Sequence, residues 1–520
     1  MGNDASSCFC GDDERRGKIP VGSKRTSHGS MSSTNLSMLE YRPIGEFVIY
    51  LGHVTNVKKT HWNSSDSNCY VDIHLESQTN FISPLYRSTV RSHTLSPVWN
   101  SYITFPIRPN LDDKVVISLI DSFGMMTTVI GTLEITISEL MEKDISLANQ
   151  LRQFTLNTSD TNDTLEDTYI YLSLLRNKPN LYCRPYKSMI KNIFLIRHGE
   201  SVWNEGKRDS NVIKLVGNKD HSLNERGIQQ AIDLNKKWKL KLTEKLTFND
   251  GHVSQALSRS KSKKILMGSP SNEDEGYDLF LDAECILCSP MTRAAQTALI
   301  GLRDHPAFDK GKNMTFCRSL RERKSGIGCF DCIGIESGDG ILKRVQDELL
   351  KRIPASSSHV DSKLGLQLTK EDVDQIMLPP VDVNDCVSSW WTPPSSCDSD
   401  DMISSRCSEL WKTLKYSNEK SIILVGHSTF FHELVQTYIH EESFSSSALK
   451  KQFCEDIKNH KLDNASCLHI KVKFGELRNE KDGNIIQQAK WIPPKIIDAN
   501  LLFGKLKGTS TKDRRNTHVE

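Results

Sequence analysis

At residues 192–200 the chain reads NIFLIRHGE, and this stretch decides the fold of the larger part of the protein. Apolar residues that end abruptly at polar ones predict a buried strand of a parallel sheet, and such sheets bind ligands at the carboxyl ends of their strands. At such a strand end the guanidinium of Arg197 can bind two oxygens of a phosphate group at once, while the imidazole of His198 can attack phosphorus. Gly199 lets the backbone turn so that both side chains face one anion. The stretch therefore predicts an α/β domain that handles phosphate.

Two further apolar runs end in the same way. Residues 285–288 (CILC) lead to Arg293 in the opening turn of a helix, and residues 422–425 (IILV) lead to His427. Between them Glu322, in the triplet LRE, offers a carboxyl group as a general acid. Each residue alone has an ordinary interpretation as a surface charge or a buried core histidine, but their common order and spacing make coincidence a poor explanation. We therefore predict one site that contains His198, Arg197, Arg293, His427 and Glu322.

This motif set resembles the histidine phosphatase superfamily, also called the phosphoglycerate mutase-like family, over about residues 190–475. The resemblance implies a three-layer α/β domain in which His198 is the nucleophile and forms a phosphohistidine. It makes Glu322 the acid that protonates the leaving oxygen and then activates water.

The same resemblance implies a phosphate cradle and a further substrate contact. The cradle consists of Arg197, Arg293 and His427, and the further contact is Asn204. Because three cationic groups can neutralise the phosphate oxygens, we expect neither a metal ion nor a cofactor.

The surroundings of the acid position favour hydrolysis of phosphomonoesters. Mutases of this family resemble Asn-Glu-Arg-His there and carry an arginine pair that grips a second phosphate or carboxylate. Here the acid position reads LRER (320–323), and the counterpart of the arginine pair reads SWWTPP (389–394), with tryptophan in place of arginine. Mutase-type phosphoryl transfer and a non-catalytic scaffold that only binds phosphate remain alternatives. The phosphorylated substrate can be a protein, a lipid or a small molecule.

Residues 45–176 change to a β pattern. Eight short segments rich in Val, Ile, Thr and aromatic residues, separated by turn residues, predict an antiparallel β-sandwich. The sequence segments TLSPVWN (94–100) and VISLID (116–121) resemble those of the C2 family of lipid- and protein-binding β-sandwiches. Of that family's calcium-binding aspartates only Asp66 and Asp121 could remain, too few for an ion that takes six to eight oxygen ligands. We predict calcium-independent behaviour and leave lipid and protein open as partners.

Residues 1–44 are rich in serine, glycine and charge without hydrophobic periodicity, which predicts a disordered tail. Gly2 and the serine four residues later match the N-myristoylation pattern, and Cys8 and Cys10 lie close enough for palmitoylation. One myristoyl chain binds membranes weakly, so these cysteines and the basic residues of 15–25 would supply the second signal. The alternative is a chance match on a solvated tail. We predict an anchor on the cytoplasmic face of a membrane, with the plasma membrane preferred.

The composition limits the remaining functions. Among 520 residues, 67 Lys and Arg against 65 Asp and Glu leave a net charge of +2, which gives no reason to expect nucleic acid as a partner. The apolar runs are too short to span a bilayer. The pairs Cys285/Cys288 and Cys329/Cys332 do not predict a zinc site, because residues 285–288 are expected to form a buried strand, on which residues three apart point to opposite faces, so one metal could not bind both cysteines of that pair.

The predicted fold class is multidomain: an N-terminal antiparallel, C2-like β-sandwich followed by an α/β three-layer histidine phosphatase domain. The predicted divisions are a tail at 1–44, the sandwich at 45–176, the phosphatase domain at 177–500 with insertions near 243–281 and 333–395, and a polar tail at 501–520.

Overall fold

The structure is a computed structural model that describes most of the chain from residue 45 onward. The tail that carries Gly2, Cys8 and Cys10 lies outside the described residues. The rest belongs to one compact unit, Pro43–Glu520. The described residues are 45–60, 67–77, 83, 85–105, 109–123, 126–142, 151–158, 167–175, 184–185, 188–211, 219–256, 272–325, 330–353, 368–392, 396–475 and 492–508.

Two antiparallel sheets enclose the first hydrophobic core. Their strands are β1 (Gly45–Thr55), β2 (Cys69–Glu76), β3 (Tyr86–Arg87), β4 (Val98–Phe105), β5 (Lys114–Phe123), β6 (Met126–Thr136), β7 (Arg152–Thr155), β8 (Tyr169–Leu174) and β9 (Arg184–Pro185). One sheet has the order β4-β1-β8-β7, with β9 paired to β1, and the other has the order β3-β2-β5-β6. Apolar side chains alternate into the space between them. The predicted antiparallel sandwich is confirmed.

One of the eight predicted strands is much shorter than expected. The segment 85–92 forms a regular strand only at Tyr86–Arg87. Beyond this strand the segment stays beside β2 through isolated backbone hydrogen bonds, such as the one that Arg91 N donates to the carbonyl of Cys69 (2.7 Å). At this irregular edge the side chains of Thr89 and Arg91 contact Glu409 in the second half of the chain, whereas Val90 is exposed.

A seven-stranded sheet forms the centre of the second half. Its strands are β10 (Met189–Arg197), β11 (Cys285–Cys288), β12 (Met314–Phe316), β13 (Val381–Asp382), β14 (Ser421–Gly426), β15 (Cys467–Phe474) and β16 (Lys495–Phe503). Their order is β13-β12-β11-β14-β10-β15-β16. The first five strands are parallel to one another, and β15 pairs in the antiparallel direction with both β10 and β16. β11, the middle of β14 and the second half of β10 up to Ile196 are apolar because helices cover both of their faces.

In the described residues, helices cover both faces of the seven-stranded sheet, which separates two hydrophobic cores, and one further helix lies in the sandwich. In chain order the helices are α1 (Ile137–Glu142, in the sandwich), α2 (Val202–Arg208), α3 (Glu225–Ala256), α4 (Asn272–Leu281), α5 (Thr292–Leu302), α6 (Pro306–Asp309), α7 (Asp339–Leu350), α8 (Lys370–Ile376), α9 (Asp400–Tyr416), α10 (Ser428–Tyr438) and α11 (Ala448–Asn459). Phe194 and Ile196 of β10 pack with α3, α4, α5, α7 and α8, whereas Ile193 and Leu195 pack with α9, α10 and α11. This alternation of period two fixes which face each side chain joins.

The sheet extends past residue 500, where we expected a polar tail to begin. β16 ends at Phe503, and both Phe503 and Leu506 are buried. The expected start of the tail is therefore wrong, because these apolar side chains pack into the cores despite the lysines beside them. Residues 509–520 lie outside the described residues. No helix in the described part of the chain has the length and hydropathy needed to cross a membrane.

Candidate active site

The central strands end side by side and bring two histidines to one edge of the sheet. β10 and β14 pair with Arg197 opposite Gly426, and β11 continues the parallel array on the other side of β14. The backbone hydrogen bonding between β10 and β14 continues one residue beyond the strands, because His198 N donates to the carbonyl of Gly426 (2.9 Å). The ring centroids of His198 and His427 consequently lie 5.1 Å apart.

His198 is buried and held in one tautomer. Its Nδ1 lies 2.6 Å from the carbonyl oxygen of Gly199, which can only accept, so Nδ1 carries the proton and Nε2 keeps its lone pair. Its own carbonyl accepts from Asn464 Nδ2 (3.0 Å). Burial, together with the charges of Arg293 and Arg197, holds the pKa of His198 well below the ordinary histidine value. The imidazole is therefore neutral and nucleophilic at Nε2 at neutral pH.

Three buried nitrogen atoms near His198 have no hydrogen-bond partner among the described residues. They are Arg197 Nε, Arg293 Nε and His427 Nδ1. The side chains are nonetheless fixed by other contacts; Arg197 Nη1, for example, donates to the carbonyl of Leu462 (2.8 Å). An unsatisfied buried donor costs about 1–3 kcal/mol, so three of them in one place indicate a site that an anion completes. The oxygens of a phosphate group would satisfy all three.

Glu322 faces the same cluster from the loop after a short 3₁₀ helix at Arg318–Leu320. Its Oε1 accepts from the backbone nitrogens of Arg323 (2.9 Å) and Phe430 (3.2 Å). Burial raises the pKa of the Glu322 carboxyl, and the charges of Arg293 and Arg197 limit the rise. A carboxyl group with a raised pKa can stay protonated long enough to donate a proton, which is what a general acid must do.

Asn204 has a different contact from the predicted one. Its Oδ1 accepts from Ser201 N and Ser201 Oγ (both 3.2 Å), and Ser201 in turn caps the first turn of α2. This capping box fixes the loop that follows His198. The described contacts make Asn204 a residue that positions this loop, and its contact with substrate stays a prediction.

Two residues that sequence analysis missed hold His427 and the helix of Arg293 in place. Ser289 Oγ lies 2.8 Å from His427 Nε2, so its hydroxyl can donate to this nitrogen and leave the ring proton on Nδ1. Asp220 accepts from Thr292 N (2.9 Å) and Thr292 Oγ1 (2.6 Å), which fixes the start of the helix that carries Arg293. A signal existed for both, because Ser289 directly follows β11 and Asp220 opens the polar segment DHSLNERG.

Asp331 is an acidic residue inside the cationic cluster. Its Oδ1 accepts from Arg293 Nη1 (3.0 Å) and lies 3.3 Å from His221 Nδ1, and its carbonyl also accepts from Arg293 Nη1 (3.0 Å). The carboxylate therefore fixes one side of the Arg293 guanidinium and leaves Nε for an anion. No sequence pattern indicated it, because it lies in a single 3₁₀ turn, Phe330–Cys332, without periodicity.

Gly199 is needed for a close approach of two backbones. Its φ is not positive, so the sharp turn we expected is not the reason for a glycine here. A Cβ at Gly199 would lie 2.5 Å from the carbonyl oxygen of Gly227, and a Cβ at Gly227 would lie 2.0 Å from that of Glu200. The first turn of α3 thus packs directly on the loop that carries His198.

We predict that Gly227→Ala lowers kcat for a phosphate ester at least about tenfold, because the loop after His198 must move to admit the methyl group. It should also lower the free energy of unfolding by about 1–3 kcal/mol, measured by urea denaturation. Gly276→Ala in α4 is the matched control, since its new Cβ meets only side-chain atoms of Leu502 (3.2 Å) and His469 (3.6 Å). Unchanged kcat in Gly227→Ala would contradict the backbone contact.

We predict an activity window set by two shifted groups. His198 must be neutral to attack, and its lowered pKa moves the acid-side loss of activity below the ordinary value of 6.5. Glu322 must be protonated to donate, and its raised pKa moves the alkaline-side loss above 4.5. The measurement is kcat against pH from about 4 to about 9. Glu322→Gln should abolish the alkaline limb, and an alkaline limb that survives in this variant would contradict the assignment.

The sandwich aspartate that we considered for calcium is used inside the fold. Asp121 Oδ1 accepts from Asn68 N (2.8 Å), and Oδ2 accepts from Thr60 Oγ1. Asp66 lies outside the described residues. Within the described ranges no three His, Cys, Asp or Glu side chains are placed to hold a metal ion.

Two family models match the chain, in the predicted order. Residues 45–151 match the C2 domain, and residues 193–247 match the histidine phosphatase superfamily (branch 1). The predicted resemblance to these two families is confirmed over the matched residues. The second match includes Arg197 and His198 but ends before Arg293, so the roles of the predicted site residues stay predictions. No curated protein matches the chain.

Several solved structures are similar to part of the chain. A single C2 domain of plant extended synaptotagmin 1 is 19% identical, and the match covers 28% of this chain and 98% of that chain with a TM-score of 0.21. A tandem pair of C2 domains from extended synaptotagmin 2 is 19% identical, with 30% and 46% covered and a TM-score of 0.19. Human GIVD cytosolic phospholipase A2 is 15% identical, with 25% and 16% covered and a TM-score of 0.19.

Proposed function

We propose that the protein is a membrane-anchored phosphatase that hydrolyses phosphomonoesters through a phosphohistidine. The observation that carries this proposal is the set of buried, unpartnered donors on Arg197, Arg293 and His427 beside a neutral His198. Such a set stabilises the charge that develops on the phosphoryl oxygens in the transition state. The match to the histidine phosphatase superfamily supports phosphoryl transfer in general.

The reaction proceeds in two displacements. In the first, the lone pair of His198 Nε2 forms a bond to phosphorus, the ester P–O bond breaks, and Glu322 gives its proton to the departing alkoxide. In the second, Glu322 as carboxylate takes a proton from water, whose oxygen attacks phosphorus while the P–N bond breaks. The products are an alcohol and inorganic phosphate, with His198 and Glu322 restored.

The environment of the two tryptophans supports hydrolysis over mutase chemistry. Trp390 is buried, and its Nε1 donates to the carbonyl of Glu336 (2.9 Å). The rings of Trp390 and Trp391 meet edge to face at 5.4 Å. Neither side chain carries the positive charge that would hold a second phosphate or carboxylate. After the first displacement, water is therefore the acceptor of the phosphoryl group.

The tail and the sandwich support a membrane location. Gly2, Cys8 and Cys10 supply acyl sites, and the basic residues of the tail add attraction to anionic lipid. C2 domains commonly bind membrane lipids, so a peripheral location fits the match of residues 45–151. On the cytoplasmic face of a membrane, phosphoproteins and phosphorylated lipids are favoured as substrates over soluble phosphate esters.

We expect the full-length chain to release inorganic phosphate from an aryl phosphate and His198→Ala to lower kcat at least about 1,000-fold, because the nucleophile is lost. The measurement is phosphate release under saturating substrate. His93→Ala, on an exposed loop of the sandwich, is the matched control and should keep full activity.

Other outcomes of this assay separate the alternatives. Binding of phosphate without turnover would support the scaffold. Transfer of phosphate between positions of a phosphorylated glycerate, with little release to water, would support a mutase. Equal rates for the parent and His198→Ala would contradict a phosphohistidine.

We expect Gly2→Ala to move the protein from the membrane fraction to the soluble fraction of fractionated cells. Without the N-terminal glycine no myristoyl chain is attached, and Cys8 and Cys10 then no longer reach the membrane where palmitoylation occurs. Gly17→Ala, in the same tail but outside the motif, should stay with the membrane. If as much Gly2→Ala as parent protein is found in the membrane fraction, the prediction of an acyl anchor at Gly2 is wrong.

A further inference from the structure

The sandwich and the seven-stranded sheet share the helix α9. One face of α9 packs into the core beneath the sheet through Ile403, Cys407, Leu410 and Leu414. Residues spaced three or four apart on another face contact the sandwich. These residues are Glu409, Lys412, Lys415 and Tyr416.

The contacts of this second face are polar and buried. Glu409 accepts from Thr89 Oγ1 (2.8 Å), and Tyr416 OH lies 2.9 Å from Thr104 Oγ1. Lys415 pairs with Glu46 of β1, and both side chains are buried. Buried pairs of this kind are costly to break one partner at a time, so they hold the sandwich in one register on α9.

Arg318 makes a second connection, close to the predicted acid. Its guanidinium donates to the carbonyl of Trp99 on β4 and lies 3.2 Å from Asp385 Oδ1, while its backbone nitrogen donates to Asp385 Oδ2 (3.0 Å). Arg318 is 3% exposed. A cavity of about 640 Å³ is lined by Trp99, Arg318 and Ser319, so the guanidinium connects β4 to the 3₁₀ turn at the wall of this cavity.

The chain from Arg318 to Glu322 is short and tightly bonded. Arg321 N donates to the carbonyl of Arg318 (3.2 Å), which closes the 3₁₀ turn. The guanidinium of Arg321 donates to Asp398 Oδ1 (2.8 Å), two residues before α9 begins. We call residues 318–322 the acid segment. Arg318 is bonded to the sandwich, and Arg321 is bonded to Asp398 just before α9, which the sandwich also contacts. A shift of the sandwich can therefore displace Glu322, which lies four residues after Arg318.

We infer that Arg318 is a positioning residue through which strand β4 of the sandwich sets the place of Glu322. The sandwich is then a structural part of the catalytic site as well as a surface for lipid or protein. This inference rests on the proposed function, because it takes Glu322 as the acid. Positioning matters here since a displacement of about 1 Å can cost about 100-fold in rate.

The test compares two substrates in full-length chains. An alkyl phosphate needs protonation of its leaving oxygen, whereas an aryl phosphate with an acidic phenol needs little. A single nitrogen, Arg318 Nη2, contacts both Asp385 Oδ1 and the Trp99 carbonyl. Arg318→Lys keeps a positive charge for Asp385, but its shorter side chain does not place the ammonium where Nη2 lies. We expect it to lower kcat for the alkyl phosphate about tenfold and for the aryl phosphate less than about twofold, with little change in KM.

Two further variants calibrate this result. Glu322→Gln should show the same selective loss for the alkyl phosphate, to a larger extent. Lys114→Ala removes only an exposed ion pair with Glu134 (3.1 Å) between β5 and β6 of the sandwich and should leave both substrates unaffected. Equal losses for the two substrates in Arg318→Lys, or no loss, would overturn the inference.

Hydrogen exchange of residues 317–323 gives a readout that does not depend on activity. Arg318→Lys should speed exchange in this segment and not in β10 or β14. If the parent hydrolyses neither substrate, the proposed function fails, and this exchange result alone decides whether Arg318 holds the segment. Faster exchange throughout the seven-stranded sheet would mean general loosening and would overturn the positioning role.

Discussion

Two guanidinium groups and an imidazole lie buried around His198, each with one nitrogen that no described residue accepts from. Taking like charges out of water together is costly, so the surrounding fold must offset their repulsion. Asp331 does so for Arg293, and the carbonyl of Leu462 does so for Arg197. The three unpartnered nitrogens belong to side chains around His198, and this arrangement is the basis for proposing an anion site at the strand ends.

The same demand explains how tightly the site is built. A cradle for one phosphate group works only if its donors keep their places without the ligand. The strand register of β10 and β14 fixes two histidines, Asp220 fixes the helix that carries Arg293, and the glycines at 199 and 227 let two backbones touch. Each of these contacts lies outside the proposed phosphate site, yet each limits how far a side chain of that site can move.

Much of this architecture could be predicted from the sequence, because it rests on local patterns. The strands β10, β11 and β14 are apolar runs with abrupt polar ends, and the sandwich strands alternate regularly. Asp331 could not be predicted, since one 3₁₀ turn has no period to detect. The start of the polar tail was wrong because Phe503 and Leu506 find apolar partners far away in the sequence. Gly199 was predicted correctly as a special position but for the wrong physical reason.

The contact between the sandwich and α9 was also invisible in the sequence. Glu409, Lys412 and Lys415 have the spacing of a solvated helix face, and only the side chains of the sandwich turn that face into an interior one. A pattern of charges says which residues can be exposed, and it does not say which will be covered. Long-range pairs such as Thr89 with Glu409 therefore need the tertiary structure.

Helix α9 has a consequence for how this chain can change over time. From Arg406 to Tyr416 only Ser408 and Thr413 are more than marginally accessible, because the sandwich covers one face and the sheet covers another. Most helices can change in sequence on a solvent-exposed side, but the stretch of α9 from Arg406 to Tyr416 has almost no such side. A substitution there must suit two neighbours that fold around it from opposite directions. We expect descendants of this chain to vary more at the exposed positions of α11 than at residues 406–416 of α9, so that the sandwich and the seven-stranded sheet change together.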